Sequence, residues 1–313
     1  MARLVISADG PEKFDIWKKA FAEVAPGLSV LSWYASDTEL KSTDYVLVWS
    51  PEVRHYAALA TVKAIICTGA GVDHLLKVPD FPRHVPLVRM GGEQTAKLMA
   101  DYVTWAAIAL LRQARTWAMQ QSEQRWVWNG IARTTDETCI GVMGLGHLGG
   151  YVATHLARVG FKVLGWKRSL TALPGVKVYA GQEALPAFLK HSDILVNLLP
   201  STPQTDGIIS LKFLKKLPHG AGFINVGRGN HVVQNDLINA LDAGILSGAV
   251  LDVVSPEPLP ATSPLWTHPS ITITPHVASE ASPLMQAQYV ARTIEHMEQG
   301  GKPALLCDPQ RGY

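Results

Sequence analysis

Cysteine is scarce in this sequence, and its distribution argues against two kinds of site. The chain has 3 cysteines among 313 residues. Cys67, Cys139 and Cys307 lie far apart, without C-x-x-C spacing or companions suited to a metal, so we expect no metal site. An odd number of distant cysteines is not a disulfide framework, and it favours a reduced, cytoplasmic setting.

Net charge and long apolar runs are also lacking. The formal net charge is only +2, which indicates neither a nucleic acid nor an anionic membrane as partner. The opening residues MARLVISADG hold too short an apolar run for a signal peptide, and the run AAIALL at 106–111 is too short to span a bilayer. The 47% hydrophobic and 17% charged composition is that of a globular protein, long enough for two domains.

Short β-rich runs alternate with helix-length segments along most of the chain, as in parallel sheets with crossover helices. The predicted strands of the first hundred residues are RLVISA, LSVLSW, YVLVWS, AIICTGA and PLVRM. The later ones are TCIGVMG, FKVLGW, DILVNLL, GFINVG, SGAVLDVV and ITITPH. Each series is sufficient for one doubly wound sheet.

Two helices define the predicted domain organisation. Residues 93–120 contain neither Pro nor Gly and read as one long helix that leads from the first domain into the second. Residues 282–299 form the last helix, which we expect to return to the first domain. The sequence therefore predicts an α/β protein with two doubly wound parallel-sheet domains and a cleft between them. Residues 1–100 with 284–313 form a flavodoxin-like substrate domain, and residues 101–283 a Rossmann-type dinucleotide-binding domain.

The segment GLGHLG supplies glycines in G-x-G-x-x-G spacing between a predicted strand and a predicted helix. Gly144 permits a tight turn, Gly146 lets the backbone approach a pyrophosphate, and Gly149 lets the helix pack closely on the strand. The helix N-terminus then favours the pyrophosphate anion. This motif alone is also compatible with a plain strand-to-helix turn.

A basic pair follows the next strand, in LGWKRS. An acid usually stands there, about 20 residues beyond the glycines, to accept the ribose hydroxyls of NAD. Here Lys167, Arg168 and Ser169 occupy the position. Arg168 is suited to grip a 2′-phosphate through two N–H groups, with Lys167 and Ser169 as further donors. The sequence therefore predicts NADP(H) as cofactor, against the alternative of a solvated cationic loop.

Three later motifs end predicted strands of the second series, where doubly wound folds bind ligands. NVGRGN contains Arg228, LDVVSPEPLP contains Asp252 and Glu257, and ITPHVAS contains His276. With TGAGVD and LLPSTPQTDGII, these motifs resemble the D-isomer-specific 2-hydroxyacid dehydrogenase family over essentially the whole chain. LGWKRS and the lack of an extra domain are most similar to its NADPH-dependent glyoxylate/hydroxypyruvate reductases.

The resemblance implies a division of roles. His276 is the general acid, for which imidazole is suited near neutral pH. Glu257 orients its ring, and Arg228 binds the substrate carboxylate and polarises its carbonyl. Gly69, Ala70 and Gly71 offer backbone N–H groups to the same carboxylate. Asp252 holds the nicotinamide carboxamide.

The full predicted sets are wider. The cofactor-binding residues are Gly144, Gly146, His147, Leu148, Gly149, Trp166, Lys167, Arg168, Ser169, Leu199, Pro200, Thr205, Val226, Gly227 and Asp252. The substrate-binding residues are Trp49, Ala70, Gly71, Met90, Arg228 and His276. Trp49 and Met90 are also compatible with core packing, and His147 with a solvent-facing helix position. Trp117, Trp126 and Trp128 read as a buried arm, whose aromatic content is compatible with a homodimer contact.

The function these features favour is reduction of glyoxylate to glycolate and of hydroxypyruvate to D-glycerate. A broader 2-oxo acid reductase remains open. Glu257 disfavours a formate dehydrogenase, which typically carries an amide there, and a phosphoglycerate dehydrogenase often has an extra domain and prefers NAD. From other classes, an NADP-sensing protein of the corepressor kind would not need Arg228, Glu257 and His276 together. A methyltransferase would more often have an acid in place of Lys167.

Overall fold

The computed structural model describes residues 2–8, 10–36, 40, 42–49, 59–128, 130, 133–309 and 311–313. Ser50, which ends the predicted strand YVLVWS, lies outside these residues. The chain divides into two compact units. Unit 1 comprises Met1–Thr95 and Ala281–Tyr313, and unit 2 comprises Ala96–Glu280. The predicted boundaries were after residues 100 and 283.

Unit 1 is built on a parallel sheet of five strands in the order β2-β1-β3-β4-β5. The strands are β1 (Arg3–Ser7), β2 (Ser29–Ser32), β3 (Tyr45–Val48), β4 (Ala64–Cys67) and β5 (Leu87–Val88). This is the flavodoxin-like order of a doubly wound sheet. β3 and β4 are buried along their whole length, which explains their continuous apolar sequence.

Helices of unit 1 cover this sheet. They are α1 (Phe14–Val24), the short α2 (Asp73–Leu76) and the last helix, α9 (Pro283–Glu298). Ser282 begins α9 by accepting a hydrogen bond from the backbone N–H of Met285. Ala287, Val290 and Ile294 of α9 pack in one core cluster with β1, so this last helix belongs to unit 1.

Unit 2 contains a parallel sheet of seven strands in the order β12-β11-β10-β9-β6-β7-β8. The strands are β6 (Cys139–Met143), β7 (Lys162–Lys167), β8 (Val176–Ala180), β9 (Ile194–Asn197), β10 (Ala221–Asn225), β11 (Leu246–Leu251) and β12 (Ile271–Ile273). The predicted fold class, two parallel-sheet α/β domains, is confirmed. β8 is the strand that the sequence reading missed, because this edge strand has no fully buried residue and so lacks an apolar run.

The predicted helix over residues 93–120 is wrong in one respect. The chain forms two helices there, α3 (Glu93–Leu111) and α4 (Ala114–Ser122). Gln113 separates them with a left-handed φ of 55°. Because no Pro or Gly marks this break, composition alone did not reveal it. α4 has no buried residue, so it lacks the apolar face that packs α3 into the core of unit 2.

The remaining helices of unit 2 connect its parallel strands. They are α5 (His147–Val159), α6 (Leu185–Lys190), α7 (Leu211–Leu214) and α8 (Gln234–Asp242). Since all strands run parallel, their carboxyl ends meet at one edge of the sheet. Within the described part of the chain, every helix is too short or too polar to cross a membrane.

Candidate active site

The glycine turn joins β6 to α5 at the carboxyl edge of the sheet in unit 2. Gly144 has φ 94°, and a Cβ there would lie 2.5 Å from the carbonyl oxygen of Leu198. A Cβ at Gly149 would overlap the carbonyl of Gly144. Gly146, at the N-terminus of α5, has open space around it. Gly144 and Gly149 are therefore required by close packing. Gly146 leaves room for an anion at the N-terminus of α5, where the helix N–H groups point.

The next residues of the turn differ in exposure. His147 is exposed and Leu148 half-buried, both in the first turn of α5. The backbone N–H of Gly144 donates to the carbonyl oxygen of Trp166 at 2.9 Å. The turn is thus tied directly to β7.

Lys167 is the last residue of β7, and Arg168 and Ser169 follow it as exposed residues. Lys167 Nζ donates to Thr171 Oγ1 at 3.1 Å. Trp166 points the other way, since side chains alternate along a strand. Its ring is 4% exposed in the core, and its indole N–H donates to the carbonyl oxygen of Gly181. Trp166 therefore contributes only its backbone to the carboxyl edge of the sheet.

Arg228, Glu257 and His276 follow three neighbouring strands, β10, β11 and β12. His276 Nδ1 lies 2.8 Å from Glu257 Oε2, and the two side chains are 38% and 37% exposed. A methyl group at Gly229 would overlap the carbonyl of Val254, so the loop that carries Arg228 packs directly on the loop that carries Glu257. The structure thus brings the three predicted catalytic residues together.

The electrostatics of this group favour an ionised Glu257. Partial burial raises the pKa of its carboxyl group. The hydrogen bonds from His276 and from the backbone N–H of Val254, together with the charge of Arg228, outweigh burial and hold the pKa below its ordinary value. An ionised Glu257 accepts a hydrogen bond from the N–H at Nδ1 of His276, which leaves Nε2 as the ring atom available for proton transfer.

Asp252 lies next to this pair but is buried, with 3% exposure. Its Oδ1 accepts hydrogen bonds from Thr274 Oγ1 at 2.6 Å and from the N–H of Val277 at 2.9 Å. Its Oδ2 accepts from the N–H of Ala278 at 3.0 Å. Most of its hydrogen-bonding capacity is therefore used by the protein itself.

A buried amide network holds the loop that carries Arg228. Asn197 and Asn225 are the last residues of β9 and β10, and neither is exposed. Asn225 Oδ1 accepts from Asn197 Nδ2 at 2.8 Å and from the N–H of Gly227 at 3.2 Å. Its Nδ2 donates to the carbonyl oxygen of Arg228 at 3.1 Å.

His231 completes the network, 2.9 Å from Asn197 Nδ2 through its Nδ1. The orientation of the Asn197 amide is set by Leu199, whose N–H donates to Asn197 Oδ1. An amide nitrogen only donates, so Nδ1 of His231 accepts and the ring is neutral.

The other predicted cofactor residues shape the same edge. Leu199 and Val226 are 8% and 6% exposed. A Cβ at Gly227 would lie 2.9 Å from Asn197 Nδ2, so this glycine is required by close packing. The hydroxyl of Thr205 closes a turn by donating to the carbonyl oxygen of Pro200 at 2.8 Å.

The predicted substrate residues of unit 1 follow β3, β4 and β5. A methyl group at Gly69 would overlap the ring of Trp49, which is 38% exposed. Trp49 also contacts His74, with ring centroids 4.3 Å apart, and its carbonyl oxygen lies 2.6 Å from His74 Nε2. Trp49 thus packs directly over the start of the loop that contains Ala70 and Gly71. Both of those residues are half-buried.

Met90 has a different environment. It is 3% exposed and belongs to the core cluster of β1 and α9. Its N–H donates to the carbonyl oxygen of Gly69 at 3.0 Å, so its backbone supports that loop. Its side chain is a packing residue.

The tryptophan arm, residues 114–128, is not buried as predicted. Trp117, Trp126 and Trp128 are 40%, 102% and 87% exposed. Arg112 lies over the ring of Trp117, 5.5 Å from its centroid. In the described residues, no group of His, Cys, Asp and Glu side chains has the arrangement of a metal site.

Sequence reasoning missed several residues whose hydrogen bonds form around the predicted catalytic ones. They are Tyr102, Asn197, Asn225, His231 and Thr274. One signal was available for the two asparagines: each is a polar residue at the end of a strand that is otherwise apolar.

Comparison with known proteins gives consistent results. The family model described as "D-isomer specific 2-hydroxyacid dehydrogenase, NAD binding domain" matches residues 104–278. The chain is similar to a D-isomer specific 2-hydroxyacid dehydrogenase from Xanthobacter autotrophicus, solved with NADPH and MES. The two are 40% identical, with 100% of this chain and 99% of that chain covered and a TM-score of 0.91.

Two further structures are similar over the whole chain. An NADPH-dependent glyoxylate/hydroxypyruvate reductase from Sinorhizobium meliloti, solved with NADP and sulfate, is 33% identical. The alignment covers 100% of both chains with a TM-score of 0.91. A probable 2-hydroxyacid dehydrogenase from Rhizobium etli, solved with NADP, HEPES and L(+)-tartaric acid, is 31% identical. There the alignment covers 100% of this chain and 99% of that one, with a TM-score of 0.89.

Proposed function

Because the chain belongs to the D-isomer specific 2-hydroxyacid dehydrogenase family, we propose that it reduces glyoxylate to glycolate and hydroxypyruvate to D-glycerate with NADPH. The observation that carries this proposal is the group formed by Arg228, Glu257 and His276, which lies at the same edge of the same sheet as the glycine turn. A cation, an acid and an imidazole in that place are what reduction of a 2-oxo acid requires.

NADP(H) is the cofactor, as in the similar enzymes that were solved with NADPH or NADP. The residues of this chain fit it: Gly146 leaves room for the pyrophosphate at the N-terminus of α5. At the end of β7, Lys167, Arg168 and Ser169 place donors where a 2′-phosphate needs them. When bound, NADPH supplies the hydride.

Three side chains then act on the substrate. Arg228 binds the carboxylate through its planar fork and polarises the carbonyl. Glu257 remains ionised and fixes the ring of His276 through Nδ1. His276 delivers a proton from Nε2 to the carbonyl oxygen as the carbon is reduced. Together they hold the reacting carbonyl in one orientation, which lowers the entropic part of the barrier.

For unit 1, the assignment of residues to substrate binding rests on the family resemblance. Backbone N–H groups of Ala70 and Gly71 bind the substrate carboxylate, and Trp49 restricts substrate size. The buried Met90 acts only through its backbone. In this proposal unit 1 is the substrate domain and unit 2 the dinucleotide-binding domain.

Steady-state reduction of glyoxylate, hydroxypyruvate, pyruvate and phenylpyruvate, with NADPH and NADH in parallel, tests the proposal. We expect the two small substrates and NADPH to give the highest kcat/KM. Comparable rates with all four acids would support a broader 2-oxo acid reductase. If none of the four acids is reduced, the proposal that the protein is a 2-oxo acid reductase is rejected.

The His276→Ala variant separates catalysis from binding. A general acid contributes about 10²–10⁴-fold, so we expect kcat to fall by that factor while the Kd for NADPH stays unchanged. Turnover equal to wild type would remove His276 from the mechanism. A suitable control is His268→Ala, since this histidine contacts the exposed Asp242 instead.

The basic pair is tested by replacing Lys167 and Arg168 with Ala. Hydrogen bonds to charged groups contribute about 1.5–3 kcal/mol each, so the NADPH-to-NADH ratio of kcat/KM should fall by about a hundredfold or more. An unchanged ratio would show that these residues do not select the cofactor. Lys177→Ala is a matched control, because this residue lies on edge strand β8, over the ring of Tyr179.

We propose that the tryptophan arm contacts a second copy of the chain in a homodimer. Trp126 and Trp128 are almost fully exposed, and large aromatic residues are enriched at interfaces. Light scattering should give twice the 34.0 kDa chain mass. Replacing both residues with Ser should give the monomer mass. A monomeric wild type would contradict the homodimer.

A further inference from the structure

The loop that carries His276 is wrapped around one buried carboxylate. Asp252 accepts hydrogen bonds from the N–H groups of Val277 at 2.9 Å and Ala278 at 3.0 Å. The N–H of His276 itself donates to the backbone carbonyl oxygen of Asp252 at 2.9 Å. His276 has a left-handed φ of 58°. A residue other than glycine keeps that conformation only where its surroundings enforce it. Here Asp252 enforces it through both its side-chain carboxylate and its backbone carbonyl group.

Two hydroxyl groups extend this arrangement into the core. Thr274 Oγ1 lies 2.6 Å from Asp252 Oδ1 and 2.6 Å from the hydroxyl oxygen of Tyr102. A hydroxyl has one hydrogen and a carboxylate only accepts, so Thr274 donates to Asp252 and accepts from Tyr102. Tyr102 belongs to α3, which is anchored in the core by Val103 and Ala106. The chain of bonds therefore connects a core helix to the His276 loop.

Tyr102, the donor at the core end of this series of hydrogen bonds, stays protonated at physiological pH. Burial raises the pKa of Tyr102 to about 12, so its hydroxyl keeps its hydrogen. Charge-assisted bonds such as the one from Thr274 to Asp252 are shorter and stronger than neutral ones.

We propose that Tyr102 and Thr274 are positioning residues for His276, acting through Asp252. The inference rests on the proposed function, in which His276 is the general acid. It also refines the assignment of Asp252. A carboxylate has about four acceptor positions, and the described residues use three of them. In the proposed function Asp252 also holds the nicotinamide carboxamide, so one residue would serve both the His276 loop and the cofactor.

The test compares Thr274→Val, which loses the hydroxyl, with Thr274→Ser, which keeps it. A displacement of about 1 Å can reduce a rate about a hundredfold, so we expect kcat of Thr274→Val to fall at least about tenfold. Thr274→Ser should stay within about threefold of wild type, and Tyr102→Phe should lie between them, because Thr274 still donates to Asp252. The Kd for NADPH, from its fluorescence, should stay within about twofold, since Thr274→Val leaves the carboxylate of Asp252 in place.

Matched controls remove the same chemical groups in unit 1. Tyr45→Phe loses a hydroxyl that donates to Glu298, and Thr293→Val loses one that donates to the carbonyl oxygen of Tyr289. Both should leave kcat unchanged. If Thr274→Val keeps the kcat of wild type, or if its NADPH affinity falls as much as its kcat, the inference is overturned.

A second measurement does not depend on activity. Hydrogen exchange of the peptide that covers residues 274–280 should be faster in Thr274→Val than in wild type. The reason is that the hydrogen bonds from the N–H groups of Val277 and Ala278 to Asp252 become weaker. If wild type reduces no 2-oxo acid, the proposed function fails, yet the exchange result still decides the inference. Unchanged exchange would overturn it.

Discussion

Replacing Asn225 with Ala should destabilise unit 2 far more than replacing a neighbouring asparagine. The variant leaves two buried donors without their acceptor: one N–H of the Asn197 amide and the backbone N–H of Gly227. The carbonyl oxygen of Arg228 keeps a second donor, the N–H of His231 at 3.3 Å. Each orphaned donor costs about 1–3 kcal/mol. The expected loss is therefore about 2–6 kcal/mol, before any contribution from the cavity.

Asn230→Ala is the matched control in the same loop. Its side chain donates only to Ser201 and to the exposed Asp206 among the hydrogen bonds of the described residues. Water replaces such partners, so we expect a loss below about 1 kcal/mol.

Thermal and urea unfolding, followed by tryptophan fluorescence, measure the difference. For a unit of this size, the Asn225 variant should unfold about 5–20 °C lower. Its kcat/KM below that temperature should also fall, since the Arg228 loop loses one of its supports. Equal losses in the two variants would refute the reasoning, because they would show that burial of the network adds nothing.

Three further outcomes follow from the same geometry. Arg228→Lys should lose most of kcat/KM despite its retained charge, because an ammonium cannot reproduce the planar fork; near-wild-type kinetics would exclude the role. Gly69→Ala should displace the ring of Trp49 and change the KM ratio of hydroxypyruvate to pyruvate; an unchanged ratio would separate Trp49 from substrate selection. The lowered pKa of Glu257 stabilises the fold above the unfolded-state pKa. The difference in unfolding midpoint between wild type and Glu257→Gln should therefore be largest above the pKa of Glu257 in the unfolded chain and shrink as the pH falls through its lower pKa in the folded chain. A difference independent of pH would contradict the pairing with His276.

Much of this fold is readable from the sequence because a parallel sheet leaves a strong local pattern. Buried strands such as β3 and β4 are uninterrupted apolar runs. The edge strand β8 has no such run and was missed. The break at Gln113 was missed as well, because a left-handed residue other than glycine carries no compositional mark.

The order of the strands and glycines, and the residue types that follow each strand, can be read from the amino-acid sequence alone. Because parallel strands end at one edge, this order already brings Arg228, Glu257 and His276 to the same side of a sheet. The contacts around these residues appear only in the folded chain: Asn225 donates to the carbonyl oxygen of Arg228, and Thr274, bonded to Tyr102, donates to Asp252. Such pairs join residues distant in the chain. Sequence periodicity encodes which face of an element is buried, but not which distant polar group a buried side chain meets there.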